Sequence, residues 1–222
     1  MDKNYSDGEN YGFFAMIDRM QYINRWGLMH NNKTENIKEH SFDVAVIAYA
    51  LCVLHNKFAD EKEAEGVDVL PEYQIKPDPF RVQGYALYHD CTEIITGDLP
   101  TPIKYRNEII TRAYKDVEQE SAETLAGLLP EFMQEEYMDL LAPEASEGEA
   151  KLIHRLVKAA DRISAFLKCL SEVNAGNREF TSAMETIRQS IEAIGLDEVD
   201  FFMEKFVPSY GMTLDELNAG RK

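Results

Sequence analysis

Cysteine is scarce in this sequence, with 3 among 222 residues, at the scattered positions Cys52, Cys91 and Cys169. An odd number of isolated cysteines argues against a disulfide framework and favours reduced thiols buried in a cytoplasmic protein. The N-terminus lacks the basic and apolar regions of a signal peptide. The longest apolar run, residues 44–54, is too short to span a bilayer. We therefore expect a cytoplasmic protein with no membrane partner.

Basic residues are also few, with 23 Lys+Arg against 40 Asp+Glu, a formal net charge of −17. A field of that sign repels nucleic acids and anionic membranes, so we expect a small-molecule substrate and no nucleic-acid partner. Hydrophobic residues at 45% and charged residues at 28% are ordinary for a globular protein. Length and composition predict one domain over residues 12–222, after a polar lead-in at residues 1–11.

No stretch shows sustained alternation of apolar and polar residues, and there is no repeat, so the sequence predicts an all-α fold. Apolar spacing predicts a helix from Phe13 to about Trp26, a buried helix from His40, and a surface excursion over residues 56–79 that contains a short helix. Further helices are predicted over residues 80–97, 107–128, 130–141, 149–174, 178–194 and 197–206.

Polar side chains at positions where the helical pattern predicts core are the first functional signal. His89 and Asp90 follow an apolar run, and Glu93 lies one helical turn further along the same face. Asp161 interrupts the apolar pattern of a later helix, and His40 begins the most apolar one. Burying an unpaired carboxylate in such a place lowers the stability of the fold by several kcal/mol. A divalent cation bound by neutral imidazoles and ionised carboxylates removes this conflict at every position.

Two of these residues have an ordinary structural explanation when each is considered alone. His40 can be a helix cap or a hydrogen-bonded surface group. Asp161 can be one half of an ion pair with Arg155, Arg162 or Lys158. The order and spacing of the whole set therefore matter more than any single residue.

A histidine at position 40, a His-Asp pair at 89–90 and an aspartate at 161 resemble the H…HD…D pattern of the HD superfamily of metal-dependent phosphohydrolases. The blocks "INRWGLMHNNKTENIKEHS", "ALYHDCTEIITGDLPTPIKY" and "VKAADRISAFLKCL" are similar to the YfbR-type 5′-deoxynucleotidases. The ending "DFFMEKFVPSY" is similar as well, so the resemblance covers nearly the whole chain beyond residue 12. The segment over residues 56–79 is longer than this family leads us to expect.

The resemblance implies an all-α HD-domain bundle, a homodimer, that hydrolyses deoxyribonucleoside 5′-monophosphates by attack of a metal-bound water. It implies that one divalent metal is held by His40, His89, Asp90 and Asp161. The residues implied to take part in catalysis are Arg25, Trp26, Asp90 and Glu93. Those implied to contact the substrate are Arg25, Trp26, His40, Asp98, Leu99, Pro100 and Thr101, of which the last four line the nucleoside end of the pocket.

The residue types suit this chemistry. A divalent metal polarises a phosphoryl oxygen and brings the pKa of a bound water to about 7. Two imidazoles and two carboxylates favour Co²⁺, Mn²⁺, Fe²⁺, Ni²⁺ or Zn²⁺ over Mg²⁺, without selecting among them. The planar guanidinium of Arg25 matches phosphate oxygens, whereas without the resemblance Arg25 is a surface charge and Trp26 a core anchor.

Two carboxylates have alternative roles. Glu93 can act as general base or orient the attacking water, can hold His40 or His89 from outside the metal's ligand shell, or can be a solvated helix residue. Asp98 can accept a hydrogen bond from the sugar 3′-hydroxyl or simply form a turn after Gly97.

Two rival functions remain open from the sequence. One is another HD phosphohydrolase, a phosphodiesterase or a nucleotide pyrophosphatase or triphosphohydrolase. His154 is the only histidine in the sequence between the His-Asp pair and Asp161, which favours a site for one metal instead of two. The sequence also has no glycine-rich phosphate loop. The other rival is a non-catalytic regulatory protein with a degenerate HD site, against which the complete ligand set argues.

Overall fold

The computed structural model describes residues 10–66, 70–104, 106–143 and 146–219, with the side chains of residues 101 and 102 outside this description. Within these ranges the regular structure is helical, apart from an isolated β-bridge between Asn24 and Asn36. The predicted all-α, single-domain HD-type fold is confirmed. The α-helices are α1 (Phe13–Asp18), α2 (Ile37–Glu65), α3 (Pro79–Tyr88), α4 (Glu93–Thr96), α5 (Thr101–Lys104), α6 (Glu108–Ala126), α7 (Glu131–Leu141), α8 (Gly148–Asn174), α9 (Thr181–Glu192), α10 (Asp197–Lys205) and α11 (Leu214–Ala219).

Helix α2 is the central element, and it packs against both α3 and α8. The side chain of Asn36 accepts a hydrogen bond from the Glu39 amide at 3.0 Å, and the Glu39 carboxylate accepts from the Asn36 amide at 3.4 Å. This capping box fixes where α2 begins, because it satisfies two of the amides that a helix start leaves unpaired. The helix ends at Gly66, whose φ of 66° is the left-handed conformation that glycine adopts without strain.

Two hydrophobic clusters meet on α2. The larger one joins α2, α3, α8, α9 and α10, and its fully buried members include Leu51, Leu156 and Ile163. Burial of each such side chain stabilises the fold by about 1.5–3 kcal/mol. The smaller cluster joins α1, α6 and α7. Ile37 belongs to the smaller cluster and Val44 to the larger one, so His40 lies between the two cores.

The first helix is shorter than predicted. Helix α1 ends at Asp18, a 3₁₀ turn runs from Arg19 to Tyr22, and the backbone at Ile23 is extended. The Ile37 amide donates to the Ile23 carbonyl, and the Arg25 amide to the Glu35 carbonyl, each at 2.9 Å. These bonds to distant residues compete with the helix, and they place Arg25 in an extended segment instead of at a helix end.

Helix α2 is longer than predicted. It starts before His40 and continues to Glu65, into residues that were expected to belong to the surface excursion over residues 56–79. Ala59 is fully buried on this extension. Good helix formers and an exposed pair between Lys57 and Glu61 at 3.0 Å also support it. The excursion is therefore confined to the residues between α2 and α3, which include a 3₁₀ turn at Pro71–Gln74.

The helix predicted over residues 80–97 is broken. Helix α3 ends at Tyr88, and a turn over residues 89–92 precedes the short helix α4. The expectation that the His-Asp pair lies within a helix is therefore wrong. The pair lies where two helices meet, so Asp90 and Glu93 are not one turn apart on a single continuous helix.

By length and composition alone, α2 is also the one helix in the described ranges that could cross a bilayer. The most apolar 18-residue window of α2 has a mean hydropathy of 1.4, and 44% of that window is buried inside the protein. Core helices of soluble proteins pass the same test, so this property is weak evidence for a membrane span.

Candidate active site

All four predicted metal ligands come together. One nitrogen of His40, one nitrogen of His89 and one carboxylate oxygen of Asp161 lie within 4.8 Å of one another. The Oδ2 atom of Asp90 lies 3.2 Å from Nε2 of His89 and 3.6 Å from Nε2 of His40. Helix α2, the turn after α3 and helix α8 thus each bring at least one metal-type ligand to a single position.

Two of the three alternative partners of Asp161, the arginines, pair with other groups. The guanidinium of Arg155 lies 3.4 Å from the Glu72 carboxylate, and that of Arg162 donates to the Ser190 carbonyl at 2.7 Å. The predicted ion pair between Asp161 and either arginine is therefore absent among the described contacts. His40 is fully buried, which also excludes the surface-group explanation of this residue.

Hydrogen bonds behind the two imidazoles orient both rings. Nδ1 of His89 lies 2.7 Å from the Ala86 carbonyl, which can only accept, so this nitrogen carries a proton and Nε2 is the atom directed towards the cluster. Nδ1 of His40 lies 3.0 Å from the Ser164 hydroxyl, while its Nε2 lies 3.1 Å from Oδ1 of Asp161. The predicted alternative, in which Glu93 holds one of these rings, does not occur within the described hydrogen bonds.

The residues present fit a bound cation. Nε2 of His89 is buried and makes no hydrogen bond, because Oδ2 of Asp90 is close to it but not aligned as an acceptor. Buried polar atoms are nearly always paired, so an unpaired ring nitrogen that faces carboxylates marks a ligand position.

The electrostatics also favour a cation. Burial favours the neutral forms of Asp90 and Asp161, but the neighbouring imidazoles outweigh it and lower the pKa of both carboxyls. Burial works against a charged His89, yet the Asp90 carboxylate outweighs it and raises the pKa of His89 to about 9. Burial, together with Arg25, lowers the pKa of His40. Metal binding would replace the proton that His89 otherwise holds.

Arg25 lies at the edge of the ligand cluster. One terminal nitrogen of its guanidinium donates to Oε2 of Glu35 at 2.9 Å, and the other lies 3.9 Å from Oδ1 of Asp161. Burial disfavours its charge, but Asp161 and Glu35 outweigh that effect and raise the pKa of Arg25. The surface-charge explanation is wrong, since only 14% of the Arg25 side chain is exposed.

Trp26 is half-buried and has an unusual backbone. Its φ of 61° is left-handed, which is uncommon for any residue other than glycine. Its ring packs against Phe180 with a centroid separation of 5.4 Å, and its Nε1–H donates to Oε2 of Glu35 at 3.1 Å. The backbone N–H of Trp26 lies near the Asp98 carboxyl and opposes the burial that raises its pKa. Trp26 thus links Glu35 to the predicted nucleoside end of the site.

Glu93 is buried, so the explanation of a solvated helix residue is wrong. Its Oε2 atom has no hydrogen-bond partner. Burial, followed by the charges of Asp90 and Asp98, raises the pKa of Glu93 to about 9. Burial also raises the pKa of Asp98, although Arg25 opposes this shift. These two acidic groups lie beside the ligand cluster in an environment that favours a proton or a cation.

The remaining predicted substrate residues follow Asp98. Leu99 and Pro100 are half-buried, and the Thr101 side chain lies outside the described part of the structure. Sequence reasoning assigned no role to Glu35 or Ser164. No local pattern in the sequence marks either residue as a partner of the site, because the contacts of both depend on how the chain folds.

A cleft of about 620 Å³ opens beside the ligand cluster. Its lining includes His89 and Asp161 together with the cationic side chains of Lys104, Lys115 and Lys158. Glu118 and Asp139 line the cleft as well, and Glu118 pairs with Lys104 at 2.7 Å, so the cleft carries both signs of charge. In a chain of net charge −17, the lysines gathered there offer contacts to an anionic molecule. Among the residues described, Arg25, Trp26, Glu93 and Asp98 do not line this cleft.

A helical fold that brings a histidine, a His-Asp pair and an aspartate to one position defines the HD-domain phosphohydrolase class. A solved HD-domain phosphohydrolase from Listeria innocua has a similar fold, with a TM-score of 0.68 at 20% identity over 89% of this chain and 87% of that one.

The family model described as 5′-deoxynucleotidase YfbR-like matches residues 12–210. 5′-Deoxynucleotidase YfbR from Escherichia coli O127:H6 (strain E2348/69) is 42% identical over 207 residues, 93% of this chain and 95% of that protein. The protein of the same name from Escherichia coli ATCC 8739 is 41% identical over the same shares. The chain belongs to the YfbR-like 5′-deoxynucleotidase family, which confirms the resemblance inferred from its motifs.

Proposed function

We propose that this protein is a metal-dependent phosphomonoesterase that hydrolyses deoxyribonucleoside 5′-monophosphates to deoxyribonucleosides and phosphate. Its family membership supports the enzyme class. The observation that carries the proposal is the convergence of His40, His89 and Asp161 within 4.8 Å, with Asp90 beside them.

His40, His89, Asp90 and Asp161 would hold one divalent cation, which we expect to be Co²⁺, Mn²⁺, Fe²⁺, Ni²⁺ or Zn²⁺. When bound, such an ion lowers the pKa of a coordinated water and polarises a phosphoryl oxygen. The ligands themselves favour this binding, because the carboxyls of Asp90 and Asp161 have lowered pKa values.

Arg25 would bind and orient the phosphate. Its guanidinium stays charged and has one terminal nitrogen directed towards the ligand cluster. Bidentate contact with two phosphate oxygens places the phosphorus in line for attack, and positioning and charge neutralisation dominate phosphoryl transfer. Trp26 would support this contact, since its ring lies beside the Arg25 guanidinium at 5.8 Å.

Glu93 would accept a proton from the attacking water or orient that water. Its unpaired Oε2 atom is available for this role. The Asp90 charge contributes to the raised pKa of Glu93, so a cation bound by Asp90 would reduce that contribution and favour the ionised form. A general base works best when its pKa lies near the working pH.

Asp98, with Leu99, Pro100 and Thr101, would line the nucleoside end of the pocket, where Asp98 would accept a hydrogen bond from the sugar 3′-hydroxyl. Burial raises the pKa of Asp98, so a hydrogen-bond donor beside its carboxylate would favour the ionised form. The cleft lined by Lys115 and Lys158 would attract the anionic substrate towards the ligand cluster.

The test is phosphate release from dAMP, dTMP, dGMP, dCMP and their ribonucleotide counterparts, with EDTA and with added Mn²⁺ or Co²⁺. We expect metal-dependent release from the deoxyribonucleotides, and its loss in the His89→Ala variant, which controls for contaminating phosphatase. Release of pyrophosphate or triphosphate from nucleoside triphosphates would favour the other HD phosphohydrolases. No release of phosphate from any substrate with any of the metals would favour a regulatory protein.

We also propose that the protein is a cytoplasmic homodimer without nucleic-acid or membrane partners. The outer face of α2 is apolar, with Phe42, Val46 and Val53 exposed, and Phe80 of α3 exposed beside Tyr49. Residues 44–56 contain no Asp, Glu, Lys or Arg. Two copies that each carry a charge of −17 meet with least repulsion at such a surface.

Light scattering coupled to size-exclusion chromatography tests the homodimer. We expect twice the chain mass for the wild type and the single-chain mass for Val46→Glu. Val117→Glu is the matched control, because Val117 is similarly exposed on α6, away from this face. A wild-type monomer, or a Val46→Glu variant that stays dimeric, would contradict this arrangement.

A further inference from the structure

We propose that Glu35 is a positioning residue, which holds Arg25 and Trp26 in the orientation needed to bind the substrate phosphate. This inference rests on the proposed function, since it assumes that Arg25 contacts a phosphate. Glu35 would not touch the reacting atoms itself and would act only through these two neighbours.

A single oxygen of Glu35 joins both residues. Oε2 accepts from the Arg25 guanidinium at 2.9 Å and from Trp26 Nε1 at 3.1 Å. The Glu35 side chain is only 12% exposed. Charge-assisted hydrogen bonds away from solvent are about twice as strong as neutral ones, so this oxygen restricts both side chains.

The Glu35 contact also determines which part of Arg25 faces the ligand cluster. One terminal nitrogen is bound to Glu35, and the other lies 3.9 Å from Oδ1 of Asp161. Without Glu35, the flexible arginine side chain would have several rotamers available and would lose entropy on binding phosphate. Fixing it beforehand removes that loss from the binding step.

The backbone of Glu35 ties the same segment to the metal-bearing helix. Its carbonyl accepts from the Arg25 amide at 2.9 Å, next to the bridge between Asn24 and Asn36. Asn36 caps α2, whose first turn contains His40. Glu35 therefore connects the phosphate-binding residues with a metal ligand through a short, rigid path.

The left-handed backbone of Trp26 points to the same role. A non-glycine residue with a φ of 61° is held against a strain of about 1–3 kcal/mol. The Trp26 carbonyl accepts from the Met29 amide at 2.9 Å and from Asn31 Nδ2 at 3.2 Å, which helps to hold the turn. This conformation places the indole N–H and the Arg25 guanidinium on one carboxylate oxygen.

The test compares steady-state kinetics and inorganic-phosphate binding in Glu35→Ala, Glu35→Asp and Glu35→Gln. We expect kcat/KM to fall about 10–100-fold in Glu35→Ala, because a displacement of about 1 Å at a reacting group has effects of this size. Affinity for inorganic phosphate should fall as well, while metal affinity should stay within about twofold of wild type. Glu35→Gln keeps a carbonyl oxygen for both donors and should restore part of the loss, whereas the shorter Glu35→Asp should not.

Glu61→Ala is the matched control, because Glu61 is an exposed glutamate on α2 whose ion pair, among the described residues, is with Lys57. A double-variant cycle with Arg25→Ala separates positioning from general stability. Once Arg25 is absent, we expect Glu35→Ala to reduce kcat/KM and phosphate affinity little further.

Wild-type kinetics and phosphate affinity in Glu35→Ala would overturn the inference, and so would an equal loss with and without Arg25. If Glu35→Ala does not fold, the contrast between Glu35→Gln and Glu35→Asp decides the question. Failure of the proposed function has a different signature, in which the wild type releases no phosphate from any deoxyribonucleotide.

Discussion

The hydroxyl of Ser164 lies 3.0 Å from Nδ1 of His40, and both side chains are buried. This contact leaves Nε2 of His40 to face Asp161, so one turn of α8 supplies both a proposed metal ligand, Asp161, and the residue that orients another proposed ligand, His40. Residues that orient metal-bound histidines contribute strongly to metal affinity.

The Ser164→Ala substitution should therefore weaken metal binding. We expect about a 10–100-fold loss of affinity, because the imidazole of His40 loses the contact that fixes its orientation. A competition titration against a chromogenic chelator measures the change. Ser121→Ala is the control, because Ser121 is a buried helical serine that bonds only the Val117 carbonyl at 2.7 Å. Equal effects of the two substitutions would argue against the orienting role.

Arg25→Ala should lower kcat by about 10²–10³-fold, because the guanidinium that neutralises the developing charge on the phosphoryl oxygens is removed. Arg25→Lys should recover only a small part, since an ammonium cannot bridge two phosphate oxygens in a plane. Metal content should not change in either variant. Arg188→Ala is the control, as the Arg188 side chain is 51% exposed and pairs only with glutamates on its own helix. Full activity in Arg25→Ala would contradict the assignment.

Glu172→Gln should destabilise the protein by about 3 kcal/mol. The Glu172 carboxylate is buried, pairs with Lys168, and accepts from the amides of Asn32 and Lys33 at 2.9 and 3.1 Å. Removing its charge leaves the Lys168 ammonium buried with a weaker partner. Urea unfolding measures the loss. The control Glu185→Gln breaks an exposed pair with Arg188 and should change stability by less than about 1 kcal/mol. Equal losses would contradict this prediction.

The buried pair of His55 and Glu198, 2.7 Å apart, should make stability depend on pH. Burial disfavours a charged His55, but Glu198 outweighs it, and with the carbonyls of Ile75 and Glu72 raises the pKa of His55 above 6.5. A group with a raised pKa contributes its full stability below the pKa of the unfolded chain and loses it as the pH rises through the folded-state pKa.

The difference in Tm between the wild type and His55→Gln should therefore be largest near pH 6 and narrow towards pH 9. Tyr73 also donates to Glu198, at 2.9 Å, but it stays neutral in this range because burial and the Glu198 charge raise its pKa. Thermal unfolding followed by circular dichroism at several pH values measures the difference. A gap that is constant with pH would show that folding does not shift the pKa of His55, which would contradict this prediction.

Much of the fold follows from local pattern. Helices α6, α7 and α8 lie within a few residues of their predicted limits, because each has apolar residues at helical spacing and a clear polar or proline-containing boundary. The long α2 was recognised as buried, but its continuation to Glu65 was not, since the charged residues there resemble a solvated loop. The sequence also did not predict helix α11, because this helix is short and has no strong apolar face.

The candidate site was likewise predicted from the sequence only in part. His40, His89, Asp90 and Asp161 stood out in the sequence because polar ligands interrupted apolar patterns in a recognisable order. The turn that actually carries His89 and Asp90 was not foreseen, since Ile94, Ile95 and their neighbours continue a plausible helical pattern.

The sequence by itself determined the fold class, the family and the identities of the metal-type ligands, because these depend on residue chemistry and on spacing along the chain. Only the tertiary structure decided that Glu35 joins Arg25 to Trp26, that Ser164 orients His40, and that Glu93 is buried with an unpaired oxygen. The physical reason is that these contacts depend on the folded path of the chain. Helix packing brings Ser164 to His40 across 124 residues, and Glu35 reaches Arg25 and Trp26 because the short segment between them folds back on itself.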